Sequence, residues 1–238
     1  MKFNKLTSAL MICAAIGVVS LPVSTAFAAP DAAKIAERKA RKSQAVGEKV
    51  GKAIGKAYEL YGANQIAEAI AILEPLEPTN AFDKAYLARF LGSLYVEKNP
   101  EKAIKYLKEA IKPDILSFTD QAAALRNLAD LSIMAKKYQD AIGYYNKWLD
   151  FTGELDPNVE MRIANCFYEM KQYNKVIAPA DRAIAHFKEP KKEPYIMKYA
   201  SYYELKQIKK VIEVLEEAVV LFPKEKTFWV QLGNFYSA

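Results

Sequence analysis

Apolar residues recur along positions 46–238 in a pattern that repeats about every 35 residues. In each unit a small or β-branched residue precedes isoleucine and marks one apolar helix face. These residues are Ala69, Ala103, Ala141, Val176 and Val211, at intervals of 34, 38, 35 and 35 residues. A second amphipathic segment precedes each face. The pattern therefore predicts pairs of helices that repeat along the chain.

Prolines separate the repeated units, and they mark turns because proline cannot continue a helix. They lie at Pro78, Pro113, Pro157, Pro190, Pro194 and Pro223. The spacing predicts an all-α solenoid over residues 46–238, with helix pairs at about 46–77, 82–112, 119–151, 157–187 and 192–222. A half repeat over 226–238 adds a sixth first helix without a partner.

The last predicted helix has no following helix to cover it. Trp229, Leu232 and Phe235 would share an apolar face at the end of the chain. Solenoids need a terminal capping repeat with a polar outer face. We therefore expect this sequence to be a truncated part of a longer protein. The alternative is that another molecule packs on this face.

The N-terminus has the features of a secretory signal peptide over residues 1–28. Lys2 and Lys5 precede an apolar run from 6 to 21, and Ala26 and Ala28 place small residues before the expected cleavage point. The apolar run is shorter than the ~20 residues that span a bilayer, so an uncleaved anchor is disfavoured. We expect cleavage after Ala28 and export to a Gram-negative periplasm.

Positive charge is concentrated just after the signal peptide, in a basic leader (29–45) and in the start of the first predicted helix. Residues 29–56 carry eight Lys or Arg and three acidic side chains, whereas residues 57–238 carry 24 basic and 25 acidic ones. Nucleic-acid binding is therefore excluded for the body of an exported chain, despite a formal charge of +6. Residues 34–56 could contact anionic lipid headgroups, peptidoglycan or an acidic partner. Alternatively, the leader (29–45) is a solvated helix.

The composition argues against an enzyme. The chain is 52% hydrophobic and 26% charged, which is typical of a folded globular protein. Its one histidine, His186, is predicted near a helix C-terminus, and Cys166 on an apolar helix face is predicted to be a buried, inert thiol. The sequence contains no zinc-ligand cluster or complete phosphate-binding loop. We therefore expect no catalytic residue, cofactor or metal.

Two segments identify the repeat by resemblance. Residues 229–236 read Trp-x2-Leu-Gly-x2-Tyr, and residues 91–95 read Leu-Gly-x2-Tyr, followed by Ala103, Ala110 and Pro113. These motifs resemble the tetratricopeptide repeat. The resemblance implies a right-handed superhelix whose inner groove, lined by the first helices, binds peptides or helices. Lys198 and Tyr199 depart from the pattern, so we expect a local adjustment of helix register at 195–203.

The repeat register assigns candidate side chains to that groove. They are Arg89, Arg126, Asn127, Asn165, Tyr168, Tyr203 and Asn234. Arginine and tyrosine often carry the binding energy of an interface, although an ordinary solvated face is the alternative for any single residue. Arg89, Asn127 and Arg162 also match part of the clamp by which some tetratricopeptide proteins hold a C-terminal carboxylate. That motif is incomplete here and is disfavoured.

A further resemblance covers the order of segments. The leader, a Lys-Val-Gly-Lys-Ala helix and the stretches 164–173, 202–207 and 228–237 are similar to periplasmic tetratricopeptide proteins encoded with TonB systems in marine gammaproteobacteria. This resemblance implies an accessory adaptor for TonB-dependent uptake, with TonB-complex components as partners. Two alternatives remain open: an envelope-assembly or cell-division adaptor such as a Tol–Pal partner, and an enzyme whose catalytic domain follows Ala238.

Overall fold

The computed structural model describes residues 31–237, and the signal-peptide prediction lies outside this range. The described residues form helices and connecting turns without strands. The twelve helices are α1 (Ala32–Ala40), α2 (Glu48–Gly62), α3 (Ile66–Leu73), α4 (Ala81–Tyr95), α5 (Pro100–Ile111), α6 (Phe118–Met134), α7 (Tyr138–Thr152), α8 (Pro157–Glu169), α9 (Tyr173–His186), α10 (Lys192–Glu204), α11 (Ile208–Leu221) and α12 (Lys226–Tyr236). None of them is long and apolar enough to cross a membrane.

Helices α2 to α11 stack as five pairs, and α12 follows as a further first helix. The first helix of each pair packs on its own second helix and on the neighbouring pair. The predicted all-α solenoid of helix pairs is therefore confirmed.

Four of the five turns within pairs have the same backbone geometry. Asn64, Lys136, Lys171 and Lys206 each adopt a left-handed conformation, with φ between 56° and 60°. The next N–H in each turn bonds to a carbonyl five residues earlier, as from Gln172 to Phe167 at 2.9 Å. This is the Schellman arrangement, which satisfies the last carbonyls of the first helix. Because this arrangement recurs, the residues around each turn occupy equivalent positions in their repeats.

The crossing of α4 and α5 depends on a glycine. A Cβ atom at Gly92 would lie 2.7 Å from Cγ of Leu107, so any larger residue would push the helices apart. Ala129 and Ala164 are fully buried at the corresponding positions of α6 and α8. The small residues of the repeat motif thus permit close helix packing.

Helix α10 does not contain the expected register adjustment, and that prediction is wrong. The helix runs without interruption from Lys192 to Glu204. Lys198 is accommodated because its ammonium group lies 2.7 Å from a carboxylate oxygen of Asp181 on α9. The ring of Tyr199 packs against Phe228 on α12, with 6.4 Å between the ring centroids. An ion pair and an aromatic contact therefore replace the usual small and apolar residues.

The basic leader is not a separate solvated helix, because α1 packs along the edge formed by the turns between repeats. Arg38 on α1 donates a hydrogen bond of 2.7 Å to the carbonyl of Asp150. Arg41 donates to the carbonyl and the carboxylate of Asp114, at 2.7 and 2.9 Å. Ile35 lies directly against Gly153, the left-handed residue that ends α7. The leader therefore reaches the second and third repeats.

The face of α12 is less exposed than its sequence predicts. Leu232 is buried in the core that α10 and α11 form, and Phe235 is half-buried beside Tyr203. Trp229 remains 52% exposed, although its indole N–H donates to the carbonyl of Pro223 at 3.0 Å. The predicted open face is correct for Trp229 and wrong for Leu232, because Leu232 turns toward the preceding pair.

Candidate protein-binding groove

One row of side chains follows the first helices at equivalent positions. Each residue of the row lies three positions before a left-handed turn residue. Its main-chain carbonyl accepts a hydrogen bond from the N–H of that turn residue. The row consists of Tyr61, Ile133, Tyr168 and Tyr203. Tyr61 and Tyr203 are equally exposed, at 55% each. Three of the four repeats that share this turn therefore present a tyrosine at the same position of the first helix.

At the C-terminal end of this row lies a cavity of about 690 Å³, which we call the aromatic cavity. Its walls come from α8, α10, α12 and the start of α11. The lining residues are Tyr168, Tyr199, Ala200, Tyr203, Glu204, Ile208, Gln231, Asn234 and Phe235. The structure thus brings together three of the predicted groove residues, Tyr168, Tyr203 and Asn234, on three successive first helices.

The rings of the aromatic cavity are held by contacts between elements. Tyr203 and Phe235 pack edge to face, with 5.8 Å between ring centroids. Tyr168 makes a similar contact of 5.2 Å with Tyr173 on α9. Rings fixed in this way offer large contact area at a low cost in side-chain entropy. Among the lining residues only Glu204 carries a charge, so the cavity combines aromatic walls with one carboxylate.

The predicted groove arginines on α4 and α6 join neighbouring repeats. Arg89 lies 3.3 Å from Asp120 at the start of α6, and its side chain is 17% exposed. Arg126 lies 3.1 Å from Asp156, the residue that caps α8. In each case an arginine of one repeat pairs with an acid at the start of the next first helix. These cations therefore connect repeats and are partly neutralised.

The remaining candidates of the middle repeats do not line the aromatic cavity. Asn127 is exposed on α6, and Asn165 is half-buried on α8. Arg162 lies 3.3 Å from Asp130, whose carboxylate also accepts a hydrogen bond from Tyr145. Burial, reinforced by that hydrogen bond, raises the pKa of Tyr145 above its ordinary range. Both cations of the partial carboxylate clamp, Arg89 and Arg162, thus face carboxylates of this chain.

Cys166 and His186, the two side chains considered for catalysis, both make contacts that belong to the fold. Burial raises the pKa of the Cys166 thiol to about 11, and the predicted burial of this residue is confirmed. Nδ1 of His186 lies 2.7 Å from the carbonyl of Arg182, one turn earlier on α9. Within residues 31–237 no group of three or more His, Cys, Asp or Glu side chains is arranged to hold a metal ion.

Several lining residues of the aromatic cavity were missed by sequence reasoning. The sequence pattern predicts Phe235 on an uncovered face and Tyr199 in a disturbed helix, although both contribute rings to the cavity. Glu204 and Gln231 carry no motif of their own. Their common signal is position, since each lies within four residues of a predicted groove residue, Tyr203 or Asn234.

The stacked pairs and their turns have the architecture of a tetratricopeptide-repeat solenoid. Residues 43–153 match the family model described as the SusR N-terminal TPR domain. No curated protein matches the chain in sequence.

Solved structures agree with this fold. A MamA crystal structure superposes with a TM-score of 0.57 at 16% identity, over 76% of this chain and 96% of its own. A tetratricopeptide repeat protein from Parabacteroides merdae gives a TM-score of 0.57 at 15% identity, over 80% of this chain and 73% of its own. A second MamA structure, labelled MSR-1, gives 0.55 at 18% identity, over 75% and 99%. At these identities the likeness concerns the fold alone.

Proposed function

We propose that this chain is a periplasmic adaptor that binds a protein partner through the C-terminal end of the face of its first helices, where the aromatic cavity lies. The observation that carries the proposal is the aromatic cavity, where three first helices place Tyr168, Tyr203 and Asn234 together. Tyrosine is enriched at protein interfaces, and Tyr203 is 55% exposed here. A tetratricopeptide fold supplies a rigid, extended surface for such binding.

The adaptor acts in a TonB-dependent transport system. This assignment depends on the signal-peptide features, the basic leader and the repeat stretches that are similar to periplasmic proteins encoded with TonB systems. The partner is then a TonB-complex component, and export places the chain in the compartment where that complex works.

An envelope-assembly or cell-division role, as for a Tol–Pal partner, is the second candidate. The supporting observation is the charge that remains exposed at the N-terminal end. Arg38 and Arg41 are engaged with the solenoid, but Lys49 and Lys56 on α2 are exposed. Such lysines can contact anionic lipid headgroups or peptidoglycan, although each is worth little alone.

The test is crosslinking in cells followed by mass spectrometry of the proteins bound to the tagged, full-length protein. Recovery of TonB or ExbB/ExbD-like proteins supports the transport adaptor. Recovery of Tol, peptidoglycan-linked or outer-membrane assembly proteins without TonB components contradicts it and supports the second candidate. Tyr203→Ala should reduce recovery of the partner, whereas Tyr61→Ala is the matched control because it removes an equally exposed ring from the first repeat.

Export is tested separately from partner identity. N-terminal sequencing of the protein recovered from the periplasmic fraction should begin at Ala29. Recovery of an unprocessed chain from the cytoplasmic fraction would contradict the periplasmic assignment.

A further inference from the structure

We infer that the aromatic cavity binds a lysine or arginine side chain of the partner. The inference rests on the proposed function and specifies the chemistry that its partner must carry. Rings from Tyr168, Tyr203 and Phe235 surround the cavity, and Glu204 adds a carboxylate at its wall. A cation is attracted by the negative face of an aromatic ring and by the carboxylate together.

The charges of the lining residues favour a cation over an anion. Glu204 is acidic, and the other lining residues are neutral. Lys198, on the same helix, is turned toward Asp181 at 2.7 Å and does not line the cavity. Lys206 and Lys209 flank the lining residue Ile208 in sequence; both are exposed, and neither lines the cavity. An acidic side chain would therefore meet Glu204 without a lining cation to offset the repulsion.

The chain already uses the same combination of groups in its own fold. The guanidinium carbon of Arg126 lies 5.2 Å from the Trp148 ring centroid while its nitrogen pairs with Asp156 at 3.1 Å. The guanidinium of Arg38 is likewise 5.0 Å from the Phe151 ring centroid and bonds to Asp150. Each arginine contacts one ring and one carboxylate. The aromatic cavity presents the ring and carboxylate parts of this arrangement on an accessible face.

The size and polar edge of the cavity suit a side chain attached to a peptide. A volume of about 690 Å³ admits a long basic side chain with part of its backbone. Gln231 and Asn234 on α12 offer amide donors and acceptors that can pair with a peptide main chain. The rings would contact the methylene stem, and Glu204 would face the charged head.

The test selects binding peptides from a phage-displayed random dodecapeptide library, using the processed protein recovered after export. Selected peptides are synthesised and measured against the wild-type protein, Tyr203→Ala and Tyr61→Ala. We expect peptides whose binding depends on Tyr203 and not on Tyr61 to share a lysine or arginine. Exchanging that arginine for neutral citrulline, or lysine for norleucine, should weaken binding about tenfold. Glu204→Gln should weaken it about fivefold.

Each contrary result has a distinct meaning. Peptides that depend on Tyr203 but share an apolar or acidic residue would overturn the inference. Peptides that bind without dependence on Tyr203 would also overturn it and leave the proposed adaptor function standing. Failure to obtain any binding peptide would contradict both. Because Tyr203 and Glu204 are exposed, their substitution leaves the core intact, and circular dichroism of each variant verifies the fold.

Discussion

The guanidinium of Arg38 lies over the ring of Phe151, with 5.0 Å between its central carbon and the ring centroid. The same guanidinium bonds to the carbonyl of Asp150, although 112 residues separate the two in sequence. A segment that precedes the first repeat is thereby attached to the third. The basic leader is therefore attached to the solenoid by its own side chains, and part of its positive charge is paired within the chain.

Removing the Arg38 side chain should loosen the attachment of α1 to α7. We predict that Arg38→Ala lowers the free energy of unfolding by about 1 kcal/mol, because a charge-assisted hydrogen bond and a cation–ring contact are lost. Hydrogen exchange measured by mass spectrometry should show faster exchange over residues 32–41 and little change elsewhere. Lys34→Ala is the control, because the Lys34 side chain is exposed and its ammonium group lies 3.9 Å from Asp31 on the same helix end. Unchanged exchange in Arg38→Ala would contradict the docking of α1.

The turn after α7 should tolerate only glycine at position 153. Gly153 has φ of 67°, and a Cβ atom there would collide with Ile35 of α1. We predict that Gly153→Ala costs about 1–2 kcal/mol in urea unfolding. Gly143→Ala is the matched control within α7, where a Cβ atom meets nothing within 4 Å, and it should stabilise the protein by about 0.5–1 kcal/mol. Equal effects of the two substitutions would contradict this account.

The repeats were predictable from the sequence because helix packing is periodic. Apolar spacing and prolines locate each pair, because the same packing of one helix on the next recurs in every repeat. The position of α1 was not predictable, because it depends on contacts of Arg38 with Asp150 on α7 and of Arg41 with Asp114 in the turn after α5, both more than 70 residues away. A periodic pattern holds no information about such contacts. The environment of Lys198 was not predictable for the same reason, since its partner Asp181 lies on another helix.

The lysines in left-handed turns should be improved by glycine. Lys136, Lys171 and Lys206 have φ between 56° and 57°, a region that costs a residue with a Cβ atom about 1–2 kcal/mol. We predict that Lys171→Gly or Lys206→Gly raises the free energy of unfolding by about 0.5–1 kcal/mol, after the added entropy of the unfolded chain. Lys105→Gly, within α5, is the control and should lower stability by about 1 kcal/mol. A loss of stability at the turn positions would count against the assigned turn geometry.

The buried thiol should make stability depend on alkaline pH. The Cys166 pKa of about 11 in the folded protein lies above the value of roughly 8.5 expected when unfolded. Below pH ~8.5 both states keep the proton. Between the two pKa values the unfolded state loses it first, so stability falls as pH rises.

Urea unfolding at pH 7.5 and 9.5 measures this effect. The wild-type protein should lose about 1 kcal/mol more between these pH values than Cys166→Ala, because the alanine variant lacks the titrating group. Tyrosine ionisation contributes to both proteins and cancels in the comparison. Equal losses would show that Cys166 is not held neutral by its surroundings.

The candidate site was predictable only in part. The repeat register identified Tyr168, Tyr203 and Asn234, because equivalent positions of successive first helices share a face. It did not reveal that Arg89 and Arg126 pair with acids of the following repeats. Such pairing depends on which side chains meet across a repeat boundary. Composition at one position cannot supply that information.

The central claim is that the face bearing the aromatic cavity binds a protein partner. Its most direct test is photocrosslinking in cells from a benzoylphenylalanine introduced at position 203, with position 105 on the exposed surface of α5 as the control. The account predicts a discrete protein adduct from position 203 that is missing from position 105. Absence of an adduct at 203, or the same adducts from both positions, would contradict it.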